Sequence, residues 1–325
     1  MATSFNPAGN FFFEKKHSVV PQDQLPHLLK ILWPVLFCIF TYYPLQGQSY
    51  DSLQKLDGLH ATTYYSAGAG IKAKRMSAQI DSVISFYNAQ LKFSPSVTLL
   101  LLSPGDWSNY TTFPFYGMPH YTSNKTLVIA SEDNDYWRSM IPSPDKLPDS
   151  FNTLLKQTYT GTDGTVSMEP FFDLLAIHEL GHAYSSQGGL VTQRRWMGEL
   201  LPNILLHAYI AEKEPSLLPA LTAFPAMVVG TTRRDSLKFT TLTDLEKNYN
   251  VMGPQYPQNY GWYQCRWHMS ARNIYEAGGL DAVKKLWSVL KKQREVLPDQ
   301  ALPDLLARAH QSIADVWLNW DKVPY

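Results

Sequence analysis

Residues 171–186 read FFDLLAIHELGHAYSS, an apolar helical pattern that carries two histidines four positions apart and a glutamate directly after the first. On a helix, residues four apart share one face with Cβ atoms about 5–6 Å apart. Two imidazoles so placed reach a single Zn²⁺ at about 2.0–2.1 Å. Glu179 is turned about 100° from His178, which sets it beside such a metal as a base for the water the metal polarises. With 9 histidines in the chain, the expected number of accidental HExxH matches is roughly 0.008. Two surface histidines next to an acid are the bland alternative. The apolar flanks argue against it, because buried His and Glu side chains need partners. Gly181 costs about 1 kcal/mol relative to alanine inside a helix, so its presence implies a backbone passing close by.

A catalytic zinc site takes three protein ligands and keeps one position open. The helical pattern Trp196–Ala211 follows the Gly188-Gly189 stop and brings Glu199, with no other acidic residue between His182 and it. His207, eight positions later on the same face, is a rival third ligand, although a hydrogen-bonded core histidine is the simpler reading. Asn203, one turn beyond Glu199, offers a side-chain carbonyl to the second ring nitrogen of a zinc histidine, which would fix its tautomer. Pro202 lies between them and suits a helix that starts near 199.

Composition narrows the remaining classes. Lys+Arg and Asp+Glu are both 28, so no basic excess exists to neutralise phosphates, and nucleic acid is not expected as a partner. A hydrophobic fraction of 45% supports a sizeable core rather than disorder. Two cysteines, Cys38 and Cys265, make neither a disulfide scaffold nor a thiolate metal cluster. The apolar run ILWPVLFCIFTYYPL at 31–45 is too short for a spanning helix, which needs about 20 residues, and contains Pro34. It reads as the apolar core of a leader over residues 1–48, or alternatively as a short uncleaved anchor or a buried N-terminal helix, and predicts an exported protein (periplasmic, cell-envelope or secreted) with no stable membrane span after leader removal.

Beyond the leader, residues 49–325 read as a single two-lobed unit with sublobes of about 49–187 and 188–325. Apolar spacing from Met76 to Leu91 predicts a helix over about 71–92. VTLLLL at 97–102 predicts a buried strand, and Tyr116–Tyr121 with Thr126–Ala130 a hairpin. Loop is expected from there to about 166. Helices are expected at Phe171–Ser185, Trp196–Ala211, Tyr263–Ala277 and Leu280–Lys292, with loops between. Strands early and helices late make an α+β fold with a mixed N-terminal sheet and a mainly helical C-terminal lobe.

HELGH followed by WMGELLPN resembles the gluzincin zinc metallopeptidases, and within them the peptidase-MA-like group, over about 75–290. The resemblance implies a zincin-like fold, one Zn²⁺ per chain held by His178, His182 and Glu199, and Glu179 as general base in peptide-bond hydrolysis. It further implies a tyrosine or histidine from the helical half that stabilises the oxyanion. Tyr256, Tyr260 and Tyr263 are candidates, with Tyr260 preferred, and His268 is a second kind of donor. It also implies an edge strand ahead of the motif that binds substrate backbone, placed here at Gly117, Met118, Pro119 and His120. Arg194 and Arg195 are available to substrate carboxylates, although a solvated pair is the simpler reading. No aminopeptidase-type acidic motif accompanies the edge strand, which favours an endopeptidase. The expected partner is a peptide or protein substrate. A zincin-fold envelope protein that binds without turnover is the alternative.

Overall fold

The computed structural model describes residues 49–322, so the leader expected over 1–48 lies outside the described residues. Two short strands, β1 (Gln54–Asp57) and β2 (Ala61–Tyr65), precede helix α1 (Gly70–Leu91). Met76, Ile80, Val83, Ile84 and Tyr87 form its buried stripe. Strand β3 (Val97–Leu102) follows, with Leu99 through Leu102 fully buried. Because successive strand residues point to opposite faces, this run is covered on both sides. Ser103 then caps α2 (Pro104–Tyr110) by accepting from the Asp106 amide, with proline at the first helical position where its missing N–H costs nothing.

A two-residue strand β4 (His120–Tyr121) and β5 (Thr126–Ala130) complete a five-stranded sheet in the order β1-β2-β3-β5-β4. The inner pairs β2–β3 and β3–β5 are parallel, and both edge strands run antiparallel to their neighbours. Next come α3 (Asp135–Ser139), α4 (Asp149–Tyr159), α5 (Glu169–Gln187) and α6 (Arg195–Lys213). Helix α5 packs on β4 and β5 and also on α1, and α6 lies along α5. Asp173 of α5 is buried and holds Lys72 at 2.8 Å and Arg75 at 2.5 Å, both on α1. These ion pairs fix α1 against α5, so the helix that carries HELGH is set on the sheet from two directions.

The rest is helical: α7 (Leu218–Thr231), α8 (Leu242–Gln255), α9 (Pro257–Lys292), α10 (Leu302–Ala307) and α11 (Gln311–Asn319). The α9 run is broken at Gly279, where φ is 55°, a left-handed conformation that glycine adopts without a Cβ penalty. The broad α+β class, with all five described strands before residue 131 and a helical remainder, is therefore as expected. Among the described residues, no helix is long and apolar enough to cross a membrane.

Several local expectations differ. The predicted strand over Tyr116–Tyr121 shortens to His120–Tyr121, since Gly117 has φ +99° and Pro119 supplies no amide. The expected loop up to 166 contains α3 and α4. Segments between the predicted C-terminal helices contain α7 and α8, whose internal Pro225 and Pro254 disguise them. Helix α6 starts at Arg195, not near 199, so Pro202 lies inside it.

Candidate metal centre

The site is built where α5 and α6 come unusually close. A Cβ placed on Gly181 would stand 2.6 Å from Pro202 Cα and 2.8 Å from Pro202 Cβ. Only glycine fits at that contact, which accounts for its place inside a buried helix despite its low helical propensity. The same contact presses the first turns of α6 onto the HELGH segment. Glu199 is thereby directed at the two histidines.

His178 Nε2 and His182 Nε2 are 3.2 Å apart. Glu199 Oε2 lies 3.4 Å from the first and 3.9 Å from the second. Donor atoms around a tetrahedral ion with bonds of 2.0–2.1 Å sit about 3.3–3.4 Å from one another. The three side chains thus form a buried His-His-Glu group able to hold a metal ion, with two of its three spacings near that value and all three donor atoms within 4.8 Å of one another. Two nitrogens and one carboxylate oxygen make a donor set suited to a borderline divalent ion such as zinc. Of the two rival third residues, Glu199 is in this group. His207 is buried elsewhere, its ring 5.7 Å from that of Tyr275.

Polar neighbours hold His178 and Glu199 in orientation. Asn203 Oδ1 is 3.2 Å from His178 Nδ1, and Asn203 Nδ2 donates to the Glu199 carbonyl at 3.0 Å. With its amide nitrogen committed to that carbonyl, Asn203 presents only an acceptor to His178. In the neutral ring the proton is then on Nδ1 and the lone pair on Nε2. Tyr249 of α8 donates its hydroxyl to Glu199 Oε1. Gln264 Nε2 donates to Glu199 Oε2 at 2.9 Å and to the Tyr260 hydroxyl at 2.8 Å. Neither Tyr249 nor Gln264 was expected from the sequence. Tyr249 falls in a helix read as loop, and Gln264 sits among aromatic residues that drew attention to themselves.

Burial pushes the Glu199 carboxyl up, but the His178 hydrogen bond and the charges of His182 and His178 outweigh it and bring it down to about 2. Burial pushes His182 down to about 4, with Glu199 opposing and His178 assisting. For His178 the lowering by burial is overcome by Glu199, Glu179 and Asn203, and its net shift is upward. Glu179 is half-buried beside the cluster. Burial raises its carboxyl to about 8, against His178 and the Tyr121 backbone amide and with Glu199. That amide belongs to β4, and in the antiparallel register Tyr121 stands opposite Leu127 at the open edge of the sheet.

The remaining candidates separate. Tyr260 is half-buried and joined to Glu199 through Gln264. Tyr256 accepts from Lys238 at 2.5 Å. Tyr263 donates to the Thr241 carbonyl and stacks on Trp320 in the core. His268 is buried, 6.4 Å from His178 between ring centroids, and burial holds it well below the usual histidine range as a neutral imidazole. His120 turns away from the cluster, with Nε2 2.7 Å from Thr111 Oγ1, Nδ1 3.0 Å from the Met118 carbonyl, and its ring stacked on Phe113. The Gly117 carbonyl accepts from Trp137 Nε1 at 2.6 Å. Gly117 and His120 therefore brace the loop ahead of β4. Arg194 is bound to Asp299 and the Leu297 carbonyl, and Arg195 to Asn250.

In comparisons with known proteins, no family model matches the chain, and no curated protein or solved structure does either.

Proposed function

We propose that this chain is a zinc-dependent hydrolase of the gluzincin type that cleaves peptide bonds. The observation that carries the reading is the convergence of His178, His182 and Glu199 on one point, with Glu179 beside them on the same helix. When bound there, zinc supplies Lewis-acid polarisation of a carbonyl and of water. Glu179, beside the histidines on the same helix, in its ionised form accepts a proton from the attacking water and returns it to the leaving amine. Tyr260, whose oxygen accepts from Gln264, offers its hydroxyl to the oxygen on which negative charge develops. Substrate backbone adds along the open edge at β4, where the Tyr121 amide already faces Glu179. Export belongs to the same proposal and rests on the apolar run at 31–45.

The test is a fluorogenic peptide library assayed with and without chelator, with cleavage positions read by mass spectrometry. Cleavage that disappears on chelation and in Glu179→Gln is the expected result. Uniform silence from zinc-loaded protein overturns the peptidase reading and leaves a zinc-holding binding protein.

A further inference from the structure

Glu199 offers several acceptor positions, and the structure shows how they are distributed. Tyr249 donates to Oε1, whereas the histidine nitrogens are paired with Oε2. Gln264 takes one side of Oε2, while the histidine nitrogens lie 3.4 and 3.9 Å from that same atom. A carboxylate can bind a divalent ion through one oxygen or both, and the two modes differ in coordination number. Tyr249 comes from α8, a helix that contributes no ligand, and its side chain is buried. Its ring is packed under Arg195, whose guanidinium carbon is 5.4 Å from the ring centroid. A capping box of Thr241 and Asp244 fixes the start of α8, so the hydroxyl reaches Glu199 from a braced support.

We propose that Tyr249 is a positioning residue that reserves Glu199 Oε1, so that Glu199 binds the metal through Oε2 alone and a fourth tetrahedral position stays open for water. This rests on the metal reading above and goes beyond it by naming the residue that sets the coordination number. Losing the phenol hydroxyl frees Oε1 to swing toward the ion. The open position then becomes a second carboxylate contact.

The experiment uses the full chain loaded with Co²⁺ in place of zinc, because tetrahedral cobalt absorbs visible light more strongly than five-coordinate cobalt. Wild type is expected to show the intense tetrahedral band and Tyr249→Phe a clearly weaker one. Zinc affinity of the variant is expected to fall about 10-fold or more, as loss of a ligand's hydrogen-bond partner usually causes. An unchanged cobalt band in a folded Tyr249→Phe overturns the proposal, even if affinity drops, because a packing role alone would lower affinity without altering the band. X-ray absorption of zinc-loaded wild type serves if that variant does not fold. Four-coordinate zinc with one carboxylate oxygen supports the proposal, and a bidentate Glu199 overturns it. Failure of wild type to bind cobalt or zinc at all overturns the metal reading itself, and this inference with it.

Discussion

Gly181 and Pro202 touch backbone to backbone across α5 and α6, and a Cβ on the glycine would stand 2.6 Å from Pro202 Cα. Because the neighbour is backbone, it cannot yield by a rotamer change. Gly181→Ala gains about 1 kcal/mol of helical propensity but overpacks a rigid contact, at a cost of about 1–3 kcal/mol. The helices part, and Glu199 leaves the histidines. Unfolding in urea should show a net loss of stability or near-neutrality, and a zinc titration should show weakened binding in either case. Zinc affinity equal to wild type would mean that the close approach does not place Glu199.

Asn203 can be separated from mere packing by two substitutions. Asn203→Ala removes the acceptor 3.2 Å from His178 Nδ1 and should lower zinc affinity about 10- to 100-fold, the usual effect of losing a ligand's orienting partner. Asn203→Asp keeps an acceptor there and should recover most of it. Competition against a chromophoric chelator measures both. Equal losses in the two variants would remove Asn203 from the account of the histidine tautomer.

Glu179 predicts a pH signature in chelator-stripped protein. Its carboxyl is raised by burial from an ordinary 4.5 to about 8, so the fold favours the protonated form. For a raised pKa, the stabilisation is fully present below about 4.5 and is lost as pH rises through about 8. Glu179→Gln has no such proton to lose. The Tm of stripped wild type should therefore fall relative to that of stripped Glu179→Gln as pH is raised across this window. A difference that stays flat with pH would show that Glu179 is not held protonated by the fold.

Asp173 carries a stability prediction that is independent of any metal. It is buried, and Lys72, also largely buried, lies 2.8 Å away. Removing one member of a buried pair costs about 3–5 kcal/mol where the partner charge is left uncompensated, but Lys72 also has Glu169 Oε1 at 2.8 Å. Asp173→Ala should therefore be clearly destabilised in urea, by about 3 kcal/mol or less. Arg75, whose side chain is about half exposed at 54%, should cost about 1 kcal/mol or less when replaced by alanine, since a half-exposed charge gains little from pairing and Asp173 keeps Lys72. Equal effects from the two would argue against a buried Lys72–Asp173 pair that fastens α1 to α5.

Different parts of the molecule were readable to different degrees, for physical reasons. VTLLLL stood out because a strand buried on both faces must be continuously apolar, and the observed strand has the bounds the sequence implied. Glu199 and His207 could not be separated by spacing, since eight residues return to nearly the same helical face. Packing separates them, through the turn at Gly188-Gly189 and the Gly181–Pro202 contact. The hydrogen bonds of Tyr249 and Gln264 to Glu199 join residues 50 and 65 positions apart, and no local pattern announces such long-range pairs. Strands β1 and β2 are not legible in the sequence because QKLD and ATTYY lack the alternation of a half-buried strand. Helices α7 and α8 were hidden by prolines that local reading treats as breakers.

The central claim is that His178, His182 and Glu199 together hold one metal ion. Its most direct test is elemental analysis of the full chain after zinc supplementation and removal of excess ion, with Glu199→Ala treated in parallel. About one zinc per wild-type chain, and clearly less in the variant, is the predicted result. Absence of stoichiometric zinc from folded wild type would contradict the account.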